Sequence, residues 1–346
     1  MTRFIIAFIL LTCSLFGKSY TDMLGRNVQI AKAQTFVFLG PGALRMGTYL
    51  GLQDRVVGIE RFEQRPLVAS PSPYRTYLGV DFLKSLPVVS EGGPGKMPNL
   101  EALIMAKPDL IFTSFFDKNQ IAKIESKTRI PVIALSYGAS YGGTSNKNLE
   151  DIKASLLLIG EITNSQERAQ KLVNFIATQE SELAKISLPS KSLYIGGIPY
   201  KGIQPITSTE VDYPPFELLG VKNSVFASTP KAKGHQFIDL EALLRANPEV
   251  IFIDSLSKSK ISQDYQAKKA LYDTLQAYQK GAVVEVLSFN NYSTNVENLL
   301  TIAWQIAAYL GHDVSLHVKA KEIFEAFYPD HGSEVLEKLG YELGNK

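Results

Sequence analysis

Asn99-Leu100-Glu101-Ala102-Leu103-Ile104-Met105-Ala106-Lys107-Pro108-Asp109-Leu110-Ile111-Phe112 returns 140 positions later as Asp239-Leu240-Glu241-Ala242-Leu243-Leu244-Arg245-Ala246-Asn247-Pro248-Glu249-Val250-Ile251-Phe252, with eight of the fourteen aligned residues identical. Each copy opens on a residue type suited to an N-cap and places an acid in the first turn. Apolar side chains then follow at helical spacing, a proline stops the helix, and a β-branched or aromatic run follows. That pattern reads as a helix feeding a buried strand. Two copies so far apart predict two similar α/β lobes, because a short-period repeat would instead build a solenoid. Two similar lobes enclose one cleft.

Outward from the repeat, the amino terminus carries Arg3 and then the apolar run Phe4 to Leu11. Eight apolar residues are too few to span a bilayer and have the shape of a secretory signal, so residues 1–18 are expected to be a signal peptide and the mature chain to be periplasmic. Gly17 and Ser19 are the candidate residues before the cut. A second reading is a lipoprotein box, Leu10-Leu11-Thr12-Cys13, with lipid anchoring through Cys13; threonine before the cysteine disfavours it. Cys13 is the only cysteine of the chain, so the mature protein holds no disulfide and depends on its core. With 346 residues, 45% of them apolar, two domains of ordinary size can be buried. Loss of Arg3 and Lys18 brings the formal charge of +2 to about zero, which favours neither nucleic acid nor an anionic membrane as a partner.

Strand-like and helix-like segments alternate through most of the chain. Residues 35–39, 56–59, 86–89, 110–113 and 132–135 read as strands of a first lobe spanning 19–146, and 193–195, 250–253 and 283–287 as strands of a second spanning 188–346. Between them, 147–187 reads as a connecting helical region, a helix or a helix pair, with a weak point at Gly160 and a cap-like Thr163-Asn164. Helices over 295–310 and 314–327 finish the second lobe. The fold class is therefore α/β, two similar lobes each with a mostly parallel sheet covered by helices, joined by a long interlobe helix.

Thr21-Asp22-Met23-Leu24-Gly25-Arg26-Asn27-Val28 resembles the opening hairpin of periplasmic binding proteins for iron chelates, haem and cobalamin, and Pro98 to Leu103 followed by Lys107 to Ile111 resembles that family's most recognisable segment. The resemblance covers nearly the whole chain. It implies a two-lobed receptor joined by one rigid helix, which closes slightly on a ligand and delivers it to the permease of an ABC importer. It also implies that an acid on each lobe pairs with permease arginines, and the matching positions here are Glu101 and Glu241. The plainer role of both glutamates is to complement helix N-termini, worth about 0.3–1 kcal/mol each. The implied cargo is a metal chelate, ferric siderophore first, with haem, cobalamin and a nickel or cobalt chelate behind it. No cofactor of its own and a monomeric state are expected.

Ligands of open α/β sheets sit beyond the carboxyl ends of the strands. The loops there offer Arg45, Arg61, Arg65, Tyr137 and Tyr141 on the first lobe and Tyr200, Lys201 and Tyr292 on the second, cations and flat aromatic faces suited to a medium-sized anionic chelate. His235, just before the second repeat, is a candidate donor to an incompletely chelated metal; its alternative is a hydrogen-bonded loop histidine. Direct capture of a bare transition metal is disfavoured, since the mature chain has no cysteine and only His235, His312, His317 and His331.

An enzyme reading rests on Gly138-Ala139-Ser140-Tyr141-Gly142, which matches G-x-S-x-G after a strand and makes Ser140 a candidate nucleophile. Gly142 and Gly143 delay the helix such an elbow needs, so no enzymatic activity is expected. Gly40-Pro41-Gly42 lacks the third glycine of a dinucleotide fingerprint, and Gly95-Lys96-Met97 lacks the hydroxyl of a P-loop. Both read as turns.

Overall fold

The computed structural model describes residues 17–66, 72–136, 145–200, 202–227, 229 and 231–341. The chain opens with an antiparallel hairpin, β1 (Lys18–Thr21) and β2 (Asn27–Ile30). Its turn is built by Asp22, whose Oδ1 accepts the amides of Leu24 and Arg26 at 3.0 and 2.9 Å while Oδ2 accepts that of Ala134 at 3.1 Å. The turn chemistry thus also pins the hairpin to the sheet.

That sheet is five-stranded, parallel throughout, and made of β3 (Phe36–Leu39), β4 (Val56–Glu60), β5 (Val88–Ser90), β6 (Leu110–Thr113) and β7 (Val132–Ala134) in the order β5-β4-β3-β6-β7. Every residue of β3 and β6 is buried, which explains why both are continuous apolar runs instead of alternating ones. The second lobe has a smaller parallel sheet of β8 (Leu193–Gly196), β11 (Val250–Asp254) and β12 (Val283–Val286), in the order β12-β11-β8. A separate antiparallel pair is formed by β9 (Ser208–Glu210) and β10 (His235–Phe237). The lobes are related but unequal.

The duplication extends to individual backbone hydrogen bonds. Asp109 and Leu110 both donate their amides to the carbonyl of Thr35, at 3.0 and 3.3 Å, and Glu249 and Val250 do the same to Ser192, at 2.9 and 3.2 Å. The carboxylates answer in kind, Asp109 accepting the amides of Gln34 and Thr35 and Glu249 that of Ser192. Both repeat helices, Leu100–Ala106 and Leu240–Ala246, end on a left-handed residue, Lys107 and Asn247, just before the proline. The caps differ: Asn99 accepts the amide of Ala102 at 3.0 Å, whereas Asp239 makes no side-chain cap bond.

Where the resemblance implies one connecting helix, the structure has two, Ser145–Thr163 and Gln166–Ala184. Asn164, with φ of 60°, makes the break, one of the few side chains that accept a left-handed backbone readily. Gly160 lets the pair close, since a Cβ there would lie 2.6 Å from Cβ of Ala169. The terminal helices also depart from a purely second-lobe role. The ring of Tyr49, in the first lobe, packs 4.7 Å from Phe327, and Arg168 ties the carbonyls of Tyr49, Ala326 and Phe327 together. One hydrophobic core therefore runs from Phe36 and Phe112 through Ile176 to Phe252 and Phe324, with a smaller cluster on the outer face of each sheet.

Candidate functional site

The carboxyl ends of β3, β4 and β5 meet the segment that follows β12. The contact is made through residues 291–294, and its chemistry is specific. Arg45, in the helix after β3, is completely buried and donates to the carbonyls of Thr294 at 2.8 Å, Asn291 at 2.7 Å and Tyr292 at 3.2 Å. Its guanidinium lies 4.7 Å above the ring of Tyr74. Arg45 is thus a fastener between the halves, with its charge directed at protein carbonyls and at the nearby buried acids Glu63 and Glu297, whose ionisation it favours. Burial, the largest influence, still raises the pKa of both acids.

Glu60, the last residue of β4, closes the same region. It is 2% exposed. Its Oε1 accepts the amide of Gly40 at 3.0 Å and its Oε2 the hydroxyl of Tyr292 at 2.7 Å. Burial lifts its pKa to about 7, while those two hydrogen bonds pull the other way. Gly40 is required here: its φ is +89° and a Cβ would stand 2.3 Å from the carbonyl oxygen of Ser114. The ring of Tyr292 stacks on Phe62 at 3.6 Å and 15°.

The remaining candidates fall in two places. Arg61 is exposed and bridged to Glu91 at 2.8 Å; Arg65 is exposed with its guanidinium 5.3 Å from the Phe62 ring. Among the described candidates these two are the exposed cations, since Arg45 is consumed internally. On the second lobe Tyr200 stacks on His235 at 4.4 Å and 12°, and Nε2 of His235 lies 2.7 Å from Oγ of Ser208. Burial lowers the pKa of His235, which favours its neutral form. The structure groups Tyr200 with His235, and Arg45 with Tyr292, as two separate clusters. Tyr137, Tyr141, Lys201, Ser140 and Cys13 lie outside the described residues. Among the described residues no three His, Cys, Asp or Glu side chains assemble into a group able to hold a metal ion.

Sequence reasoning passes over Glu60, Phe62 and the glycines Gly92 and Gly93 as individual site residues. A charge ending the buried run Val56-Val57-Gly58-Ile59 is the signal that marks Glu60. The second lobe holds a comparable pair, Glu210 and Asp254, each raised to about 8, chiefly by burial. Glu101 and Glu241 both project into solvent at the second position of their helices, but Glu241 has a neighbour, Arg245 at 3.9 Å, where Glu101 has the exposed Met105. A hollow of about 530 Å³ lies at the opposite, amino ends of the strands, lined by Arg26, Lys32, Asp109 and Glu125 among others. Arg26–Asp22, Arg26–Glu125 and Lys32–Asp109 ion pairs cross it, so its charges fasten the hairpin.

Residues 37–288 match the model of a family described as periplasmic binding protein. The ferric-anguibactin-binding protein FatB of Vibrio anguillarum is 25% identical over 209 residues, 59% of this chain and 63% of its own length, so the alignment spans less than two thirds of that relative. The molybdate-binding protein MolA of Haemophilus influenzae is 23% identical over 261 residues, 67% of each chain. The solved structure of MolA with molybdate superposes with a TM-score of 0.65 at 21% identity, covering 90% of this chain and 98% of that one. The structure of CeuE from Helicobacter pylori with Ni(II) superposes with a TM-score of 0.63 at 17% identity, covering 93% and 99%. Among the described residues no helix is long and apolar enough to cross a membrane.

Proposed function

Because this chain belongs to the periplasmic binding protein family, we propose that it captures a metal chelate between its lobes, ferric siderophore before haem, cobalamin or a nickel or cobalt chelate, and hands it to the permease of an ABC importer. The observation that carries the reading is the helix–strand unit built twice, in two separate sheets, with the 291–294 loop after the second sheet reaching the strand ends of the first. FatB, whose name records a ferric siderophore, supports the choice of cargo; the molybdate of MolA is the competing class. Binding to the closed form biases closure only by the difference in affinity between the two forms. Arg61 and Arg65 are the candidate anion contacts on the first lobe, and Tyr200 and His235 the candidates on the second. Tyr137, Tyr141 and Lys201 remain candidates of the same kind, and Glu101 and Glu241 are the proposed permease contacts.

The cargo reading is tested by thermal shift against ferric siderophores, haem, cobalamin, nickel chelates and molybdate. Ligand at 100 times its Kd adds about 2.7 kcal/mol of stability, and stabilisation by molybdate alone overturns the chelate. Docking is tested separately. Glu101→Arg combined with Glu241→Arg is expected to leave affinity in solution unchanged and to abolish uptake; lost affinity in the purified double variant counts against it.

A further inference from the structure

We infer that the loop carrying Tyr292 is a strap, by which the second lobe fastens into a socket on the first lobe and holds the halves together across the cleft before cargo arrives. The socket fits a phenol at each of its atoms. Phe62 supplies the face, Glu60 accepts the hydroxyl proton at 2.7 Å, and the amide of Gly93 donates to the same oxygen at 2.7 Å. Gly92 forms the wall where the hydroxyl arrives: its φ is +83°, and a Cβ there would stand 2.7 Å from Oη of Tyr292. Ring, acceptor, donor and glycine wall come from the ends of two strands of one lobe, whereas the phenol comes from the other, some 200 to 230 residues away in the chain.

The strap is also shaped in advance. Tyr292 and Ser293 hold φ of 53° and 73°, left-handed values that side-chain-bearing residues adopt rarely and keep only where the surroundings over-determine them. An isolated bridge between Asn290 and Thr294 and the amide of Asn295 on the carbonyl of Phe289, at 2.7 Å, close the loop on itself. Arg45 then grips its outer carbonyls from the first lobe. A brace confined to one lobe needs none of this. The arrangement commits three side chains of the first lobe, Arg45, Glu60 and Phe62, to one loop of the second. Any group that enters between Phe62 and Gly92-Gly93 has to displace the phenol, so the strap sets how far the halves part.

The test uses the ligand-free protein, so its failure leaves the transport reading untouched. With Cys13→Ser, spin labels at Lys123→Cys and Ser262→Cys, both exposed and on opposite lobes, report the interlobe distance by pulsed electron resonance. The parent is expected to give one narrow distance. Tyr292→Phe, which keeps the stack and loses both hydrogen bonds, is expected to raise the share of a longer component about tenfold or more, and Tyr292→Ala further still. Distributions that match the parent in both variants overturn the strap. If neither variant folds, hydrogen exchange of the unaltered protein decides: amides of Gly40 and Gly93 exchanging together, ahead of those of β3 and β6, support it, and Gly93 exchanging only with the sheet overturns it.

Discussion

Asn99 and Asp239 occupy equivalent positions, yet only Asn99 caps its helix through its side chain. Asn99→Ala is therefore expected to cost about 1 kcal/mol in urea denaturation and Asp239→Ala less than about 0.5 kcal/mol; equal losses contradict the difference in capping. Gly40→Ala must place a Cβ against the carbonyl of Ser114 at a positive φ, and a loss of about 2–4 kcal/mol is expected from the combined clash and strain. The site was least legible at this scale. Arg45, in the helix after β3, and Tyr292, in the loop after β12, both stand beyond strand ends, which is where ligand contacts belong, and each segment read alone gives no hint that the two touch each other across about 250 residues of chain. A lone cation advertises charge; its partner is a matter of tertiary structure.

At the level of elements, the strands were readable because a buried parallel strand is a short β-branched or aromatic run between turn residues, as in Val250-Ile251-Phe252. The pair β9 and β10 was not readable, since Ser208-Thr209-Glu210 and His235-Gln236-Phe237 are three polar-rich residues each. The repeat itself was legible, but Thr35 and Ser192, the residues that receive its acids, were not, because a single hydroxyl carries no periodicity. In the connecting region Thr163-Asn164 marked the break correctly, and the resemblance's single helix gave way to a pair because Asn164 turns the chain. That pair closes at Gly160. Gly160→Leu should force it apart, costing about 1–3 kcal/mol, with part of the loss recovered by Ala169→Gly; chemical denaturation of the three proteins measures both.

For the whole molecule, five carboxyl groups among the described residues are held above their ordinary range by burial, Glu60 at about 7, Glu210 and Asp254 at about 8, and Glu63 and Glu297 in the same direction. A carboxyl whose pKa is raised by folding binds its proton more tightly in the folded state, so it destabilises that state once pH passes its unfolded value, and the full cost is reached above the folded value. Stability is expected to fall as pH rises from about 4 to about 8, with the melting temperature higher at pH 5 than at pH 8; a flat profile contradicts the burial of these groups. Glu60→Gln should remove that residue's own share of the slope between about pH 4.5 and about pH 7, on the order of 3 kcal/mol, and leave the share of the other raised acids in place. In the other direction, Glu249 and Glu325, held low mainly by hydrogen bonds to Ser192 and Ser333, weaken the fold only as they protonate in stronger acid. The halves, their fasteners and the transport reading meet in one measurement, native mass spectrometry of the protein taken from the periplasm of cells grown with metal chelates. One chelate per chain, released on activation, is the predicted result; the bare polypeptide mass from every growth medium would contradict it.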